Sequence, residues 1–424
     1  AKRTSLIVID TDPLRATDAG GHWWDVAVPE VSERAEVERR LRSEHKSVPV
    51  DLTSRDLDLF YYGFCNNVIW PLFHYFPTYV DYDDELWESY RDVNRRFFNK
   101  VKEHIGQDDF VWVHDYQLLL LPLMIKEYQP DAKVGFFLHI PFPSYEIFRL
   151  LPWRQPILEG MLGADLIGFH TYDYARHFLS SVRRLLGYDH DLASIRYKNR
   201  TVKVDVFPMG IDYERYSSAP TLDVVKEHAE EIRKEYADQK VVLSVDRLDY
   251  TKGIPQRIRG FMRFLEKYPD ERERVSLVII VAPSRIEVPQ YKELKREVDE
   301  LVSIINGRFA TIGWTPIRYF YRTMPFDRLT ALYDQSDVLL VTPLRDGMNL
   351  IAKEFVAAKR DKPATVIISE TAGAARELSE ALLVNASSVE DIAEALNEAI
   401  HMPEDEQRAR IGRMQQRLKR YDIH

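Results

Sequence analysis

The sequence predicts an α/β protein of two domains, each with a parallel sheet covered by helices on both faces. Short apolar runs alternate with longer segments of helical period along the whole chain, which is the pattern that successive βα units produce. Most of the short runs are rich in Val, Ile, Leu and Phe and show little polar alternation, as strands buried on both faces do. A chain of 424 residues is also too long for one ordinary hydrophobic core.

Nine strands and five long helices are predicted, in alternating order. The strands are Leu6–Asp10, Phe110–His114, Val134–His139, Asp165–Phe169, Val202–Pro208, Val241–Asp246, Leu277–Ala282, Asp337–Thr342 and Thr365–Ser369. The helices are Glu85–Ile105, Tyr172–Leu186, Pro255–Lys267, Tyr291–Ile305 and Val389–His401. Such alternation favours parallel pairing within each sheet.

A domain boundary is predicted near Ser217–Pro220. The charged helix Asp223–Ala237 follows it, and a fresh alternation of apolar runs then starts at Val241. Residues 1–217 are therefore assigned to the first domain and 218–424 to the second. Ligands of open α/β sheets bind beyond the carboxyl ends of the strands, so the predicted active site is the cleft between two facing domains.

Composition and charge limit the classes of function. The chain is 45% apolar and 29% charged, as globular proteins are, and its net charge of −9 argues against a nucleic-acid partner. A local basic pocket could still hold a small phosphorylated substrate. The single Cys65 excludes an internal disulfide and a cysteine metal cluster. The apolar runs are too short to span a membrane, and the first residues lack a signal-peptide cleavage site, so we expect a cytoplasmic protein.

The first candidate cluster is Asp246–Gly253, directly after the first strand of the second domain. Its cations, Arg247 and Lys252, fall in a turn that leads into a helix. An arginine offers a planar fork for phosphate oxygens and a lysine offers a point charge, so the pair could hold a diphosphate. The alternative is a pair of surface cations that neutralise Asp246 and Asp249.

The second cluster, Thr342–Leu350, runs from a predicted strand directly into a helix. Gly347 permits close backbone approach, and the amides of residues 348–350 are donors at a helix start, which is a geometry that binds anions. One turn further on, Glu354 could accept both hydroxyls of a ribose. Asp346 or Asn349 could instead be an N-cap, but capping explains one of these residues and not the whole string.

Two strand ends of the first domain carry a further cluster, at His114–Asp115–Tyr116 and at His139. This cluster could be catalytic, or it could be a satisfied structural network. Its spacing is poor for metal ligands, so metal catalysis is rejected.

Aromatic residues and one more arginine add candidates of a different kind. The stretches Tyr61–Phe64 and Trp70–Tyr75 could pack against a sugar ring, although such runs are more often core. Arg285 follows another strand, where it is either a second phosphate ligand or a solvated side chain.

Together these strings resemble the trehalose-phosphate synthases, which are glycosyltransferases of the GT-B architecture with two facing Rossmann-like domains. The matching strings are His114–Tyr116, His139–Pro143, Arg247–Gly253, Gly313–Pro316 and Leu344–Leu350. The resemblance implies a retaining transfer of glucose from UDP- or GDP-glucose to glucose 6-phosphate, with no cofactor and no metal. The partners it implies are small-molecule substrates, with no nucleic acid or membrane, and self-association into a homo-oligomer is compatible with it.

The resemblance also implies a role for each matched residue. Catalysis is assigned to Asp115, His139, Arg247, Lys252 and Asp346. Donor binding is assigned to Gly20, Gly21, His139, Arg247, Lys252, Leu344, Asp346, Gly347, Met348, Asn349, Leu350 and Glu354, and acceptor binding to Tyr61, Trp70, Asp115 and Arg285.

The N-terminal segment departs from the family pattern, which places an arginine for the acceptor phosphate directly after the first strand. Here Asp10–Pro13 follows that strand, the next arginine is Arg15, and Gly20-Gly21 precede Trp23-Trp24 instead of an evident helix. The chain also ends where the family continues with a helix that packs back across the domains. The departures keep two alternatives open, a synthase for another acceptor such as glycerol 3-phosphate and a non-catalytic sugar-phosphate sensor.

Overall fold

The computed structural model describes residues 6–9, 31–285 and 288–424. The chain divides into two compact units, Ala1–Phe207 and Pro208–His424. The division falls at 207/208 rather than at the predicted 217/218, because the intervening segment packs with the second unit. There the Lys353 ammonium donates to the Met209 carbonyl oxygen at 2.7 Å, and Tyr216 is hydrogen-bonded to Glu354.

The described part of the first unit contains a seven-stranded sheet in the order β1-β2-β3-β4-β7-β6-β5. The strands are β1 Leu6–Ile9, β2 Phe110–His114, β3 Lys133–Phe137, β4 Leu166–Phe169, β5 His190–Asp191, β6 Ser194–Tyr197 and β7 Arg200–Val206. Strands β1, β2, β3, β4 and β7 are parallel, as predicted, whereas β5 and β6 add an antiparallel extension. This extension was not predicted, because β5 has two residues, both polar, and β6 has four.

Helices flank this sheet. They are α1 Val31–Glu44, α2 Ser54–Asp56, α3 Trp70–Phe73, α4 Asp84–Lys102, α5 Leu121–Tyr128, α6 Tyr145–Phe148, α7 Arg154–Met161 and α8 Tyr172–Leu186. A π-helical segment, Leu57–Ile69, leads into α3. The predicted helix at 172–186 is confirmed, and α4 lies within three residues of its predicted bounds at each end.

The second unit contains a six-stranded parallel sheet in the order β10-β9-β8-β11-β12-β13. The strands are β8 Lys240–Arg247, β9 Val275–Ala282, β10 Ile317–Tyr321, β11 Val338–Val341, β12 Thr365–Ser369 and β13 Leu382–Val384. Counted within this sheet, the order is 3-2-1-4-5-6, the order of dinucleotide-binding folds. Because the order reverses between β8 and β11, the loops after these two strands flank the point where such sheets bind ligands.

The helices of the second unit are α9 Tyr213–Ser218, α10 Asp223–Glu235, α11 Ile254–Lys267, α12 Pro289–Phe309, α13 Phe326–Gln335, α14 Leu350–Ala358, α15 Val389–His401 and α16 Glu404–Arg420. Strands β10 and β13 were not predicted, since one is polar and half-buried and the other has three residues. The last helix, α16, buries Ile411, Met414 and Leu418 in the core of the second unit.

Burial on both sheet faces differs between the two units. Strands β9, β11 and β12 are buried along almost their whole length, as their continuous apolar runs predict. In β1 and β2, alternate residues are exposed by 41% to 63%, namely Leu6, Val8, Phe110 and Trp112, when the described residues are considered. No helix among the described residues has the length and apolar character that crossing a bilayer requires.

Candidate functional site

The two clusters predicted in the second unit form one site. The loops after β8 and β11 meet at the switch point, where the amide of Leu344 donates to the Thr251 carbonyl oxygen at 2.8 Å. The ammonium of Lys252 lies 2.6 Å from Oδ2 of Asp346, across 94 residues of sequence. The prediction that both strings lie at the carboxyl edge of one sheet is therefore met in the structure.

The two cations differ in their access to a ligand. The Lys252 side chain is 12% exposed and is held against Asp346. The Arg247 side chain, at the end of β8, is 37% exposed. The site thus combines one nearly buried, fixed charge with one that can adjust to an arriving anion.

Asp249 anchors the positive charges of this site. Its carboxylate is fully buried, and its Oδ2 lies 3.1 Å from Arg247 and 3.6 Å from Arg285, while Oδ1 accepts the Thr251 amide at 3.0 Å. Burial by itself raises the pKa of Asp249, but the charges of Arg247, Arg285 and Lys252 outweigh it and lower the pKa to about 2. Asp249 therefore carries its negative charge throughout the physiological pH range.

Arg257 supports the same loop from beneath and was missed from the sequence. Its fully buried guanidinium donates to Asp246 at 2.7 Å, to the Thr342 hydroxyl at 3.2 Å and to the Lys252 carbonyl oxygen at 3.0 Å. A signal was present, because position 257 lies on the apolar face of α11 with Ile254. A charged residue on a buried helix face indicates a buried partner.

The start of α14 supplies backbone donors to the site. Asn349 is the N-cap, with a φ of 80°, and its side chain accepts the Ala352 amide at 3.2 Å. Its Nδ2 also donates to Asp346 at 3.1 Å. The N-cap alternative therefore holds for Asn349 and not for Asp346. The amides at the start of the helix have no intrahelical acceptor, so Gly347, Met348 and Leu350 lie where an anion can be bound.

Glu354 lies in the second turn of α14, four residues beyond Leu350. Tyr333 of α13 donates to its Oε2 at 2.9 Å, and Tyr216 of α9 forms a second hydrogen bond with it. Burial raises the pKa of Glu354 above its usual value, and the two tyrosine hydrogen bonds oppose that rise. Neither tyrosine was singled out from the sequence.

Arg285 lies in the same charged cluster as Arg247. Its side chain is 5% exposed, and it donates to the Tyr291 hydroxyl at 2.6 Å in addition to its ion pair with Asp249. The sequence had assigned Arg247 to the donor and Arg285 to the acceptor. The structure shows that one carboxylate serves both arginines.

In the first unit, the predicted residues after β2 and β3 are neighbours. Nδ1 of His114 is hydrogen-bonded to Nε2 of His139 at 2.8 Å. The amide of His139 donates to Oδ1 of Asp115 at 3.1 Å, and the amide of Asp115 donates to the Phe137 carbonyl oxygen at 2.8 Å. His170, which follows β4, stacks edge-on against His139 at 5.6 Å between ring centroids. These residues thus form one polar cluster at the carboxyl edge of the first sheet.

The π-helical segment relates the two predicted aromatic contacts, Tyr61 and Trp70. At 3.6 residues per turn their nine-residue spacing would place them on opposite faces. Hydrogen bonds to the fifth residue back, such as that from Trp70 to Cys65, widen the turn to ~4.4 residues, so nine residues make about two turns. Asn66 joins this segment to the histidine cluster, since its amide donates to the Tyr61 carbonyl oxygen and its Oδ1 accepts the Tyr116 hydroxyl.

Backbone strain marks three of the predicted residues. Asp115, Arg285 and Asn349 have φ values of 68°, 47° and 80°. Such conformations cost about 1–3 kcal/mol in residues other than glycine and concentrate at functional sites. Gly20 and Gly21, which were predicted to bind the donor, lie outside the described residues.

Replacing Gly253 by alanine is expected to disrupt the Lys252 loop. Gly253 has a φ of 64°, and an added Cβ would lie 2.3 Å from the Thr342 carbonyl oxygen. The left-handed conformation alone costs an alanine about 1–2 kcal/mol, and the clash adds to it, so the free energy of unfolding should fall by more than this. Gly412→Ala on α16 is the matched control, since nothing lies within 4 Å of its added Cβ. Equal stability of the two variants would contradict the expectation.

A Rossmann-like sheet whose switch point carries two cations and a helix start defines a nucleotide-binding α/β protein. The comparison with known proteins narrows this class. The chain belongs to glycosyltransferase family 20, whose sequence profile matches residues 9–424.

Three similar proteins show the range of relatives. A bifunctional trehalose-6-phosphate synthase/phosphatase from Thermoproteus tenax is 48% identical over 399 residues, which are 93% of this chain and 54% of that protein. A UDP-forming alpha,alpha-trehalose-phosphate synthase from Candida albicans is 41% identical, over 94% of this chain and 84% of that protein. The chain thus spans about half the length of the first relative.

A solved structure is similar throughout most of its length. It is a UDP-forming alpha,alpha-trehalose-phosphate synthase from Burkholderia xenovorans in complex with glucose-6-phosphate. The TM-score is 0.85 at 34% identity, and the match covers 88% of this chain and 82% of the other. The two Rossmann-like units expected from the sequence are confirmed by this similarity.

Proposed function

We propose that this chain transfers glucose from UDP-glucose to glucose 6-phosphate with retention, which gives trehalose 6-phosphate and UDP. The observation that carries the proposal is the contact of Lys252 with Asp346 beside the start of α14. It sets a cation, a carboxylate and backbone donors together at the switch point of a Rossmann-like sheet. The Candida albicans and Burkholderia xenovorans relatives, both named as UDP-forming synthases, support the choice of donor.

The donor half of the reaction is assigned to the second unit. Arg247, Lys252 and the first amides of α14 bind the diphosphate of the donor, and Glu354 binds its ribose. As the bond between the sugar C1 and the diphosphate oxygen breaks, negative charge grows on the departing UDP. Fixed cations and amide donors stabilise that charge without reorganising, which is the main source of catalysis we assign to the protein.

The acceptor half uses the cluster of the first unit together with Arg285. Asp115, Tyr61 and Trp70 orient the sugar, and Arg285 binds its phosphate. The anomeric hydroxyl of glucose 6-phosphate then bonds to C1 of the donor sugar, and its proton passes to the departing diphosphate oxygen. Positioning of two bound substrates supplies the remaining rate enhancement. No cofactor takes part in this scheme.

The test is product formation by the purified chain with UDP-glucose or GDP-glucose and with glucose 6-phosphate or glycerol 3-phosphate. The proposal expects trehalose 6-phosphate and UDP from UDP-glucose and glucose 6-phosphate, with the same rate after treatment with a chelator. A product with glycerol 3-phosphate alone would reassign the acceptor. Nucleotide release with none of the pairs would overturn the proposed activity.

The setting of the reaction is also a proposal. We place the protein in the cytoplasm, because a chain with a single, buried cysteine, Cys65, needs no oxidising compartment. Its partners are then the two small-molecule substrates, and a homo-oligomer is the further assembly to test by light scattering.

A further inference from the structure

Three elements of the second unit converge on the carboxylate of Glu354. Glu354 itself comes from α14, Tyr333 from α13 and Tyr216 from α9. The Tyr333 side chain is fully buried, and its hydroxyl lies 2.9 Å from Oε2 of Glu354. Tyr216 is half-buried, and its ring lies 5.5 Å from that of Phe326. The carboxylate is therefore held from two directions.

Both tyrosines act as donors in this arrangement. Burial raises the pKa of Tyr216 and of Tyr333, and the negative charge of Glu354 raises both further. Their hydroxyls consequently keep their protons near neutral pH and donate them to the carboxylate. Hydrogen bonds of this charge-assisted kind are shorter and stronger than those between neutral groups.

The number of acceptor sites decides what Glu354 can still bind. An ionised carboxylate offers about four lone-pair positions on its two oxygens. Two phenolic donors occupy two of them and fix the plane of the group. The remaining positions match the two neighbouring hydroxyls of a ribose, each of which needs one acceptor. A carboxylate that was free to rotate would meet this pair of donors far less often.

We propose that Tyr333 and Tyr216 are positioning residues that fix Glu354 for the 2′ and 3′ hydroxyls of the donor ribose, and so set a preference for ribonucleotides over 2′-deoxyribonucleotides. The inference rests on the proposed function, in which Glu354 is the ribose ligand. It goes further, because it assigns sugar specificity to two residues that touch Glu354 and not the nucleotide.

The experiment is calorimetric titration of the full chain with UDP and with 2′-deoxy-UDP. The wild type should bind UDP at least about tenfold more tightly, as sites built to bind a hydroxyl do. In Tyr333→Phe and Tyr216→Phe that ratio should fall at least about threefold, with UDP weakened and 2′-deoxy-UDP almost unchanged. The matched control is Tyr236→Phe, since Tyr236 is buried in the same core beneath Arg318, and its ratio should equal that of the wild type.

The ratio separates positioning from a structural role. If the tyrosines only stabilised the fold, their loss would weaken both nucleotides equally and leave the ratio unchanged, which would overturn the inference alone. A wild type that binds UDP but does not prefer it to 2′-deoxy-UDP would overturn the ribose role of Glu354. A wild type that binds neither nucleotide would overturn the proposed function together with the inference. Tyr216, being half-buried, tests the idea even if Tyr333→Phe does not fold.

Discussion

A Lys252→Ala chain is expected to bind UDP more weakly by about 1.5–3 kcal/mol, the range for a hydrogen bond to a charged group. This corresponds to a loss of roughly 10- to 150-fold in affinity. The physical reason is twofold. The variant loses the fixed ammonium, and it also leaves the carboxylate of Asp346, formerly 2.6 Å from that ammonium, without this neutralising charge beside the bound diphosphate.

Calorimetric titration with UDP measures this effect directly. The matched control is Lys226→Ala, because Lys226 forms an ion pair with Asp223 in which the two side chains are 57% and 93% exposed. Exposed pairs of this kind contribute little, so UDP affinity should be unchanged in the control. Wild-type affinity in Lys252→Ala would remove Lys252 from the donor site.

Asp249→Ala should have the largest effect on stability. Its carboxylate is fully buried against Arg247 and Arg285, and removing one partner of a buried ion pair typically costs 3–5 kcal/mol, about the loss expected here in the free energy of unfolding. UDP binding should fall as well, because Arg247 loses the group that fixes its guanidinium. Denaturant unfolding and UDP titration measure the two effects.

The same variant predicts a dependence on pH. The pKa of Asp249 is lowered from 3.8 to about 2 in the folded chain, so its charge stabilises the fold above the unfolded pKa. That contribution, about 2–3 kcal/mol, is lost as the pH falls from about 4 to about 2. The stability gap between wild type and Asp249→Ala should therefore narrow over this range. Asp223→Ala is the exposed control, and a gap that stays constant with pH would refute the ion-pair explanation.

Much of the fold could be predicted because local pattern and burial agree. Buried parallel strands such as β9 and β12 are continuous apolar runs, and the amphipathic helices α8 and α15 have the predicted bounds. The elements that were missed are those whose stability comes from neighbours. Strand β10 has a half-buried, partly polar sequence and exists because it pairs with β9.

The candidate site could be predicted at the level of strings and not of contacts. The residues of Asp246–Gly253 and Thr342–Leu350 are recognisable, since glycine, cations and a helix start together indicate anion binding. Their meeting is a consequence of the strand order, which places β8 beside β11 although β9 and β10 lie between them in sequence. The exception is Arg257, whose place on the apolar face of α11 was a readable sign of burial.

The sequence by itself therefore determined the α/β class, the two Rossmann-like units and the residues of the diphosphate site, because each depends on periodicity or on a contiguous string. Only the tertiary structure decided that Asp249 serves both Arg247 and Arg285, and that two tyrosines from separate helices hold Glu354. Such partnerships form between residues brought together by packing. Their energy depends on burial and distance, which no spacing along the chain encodes.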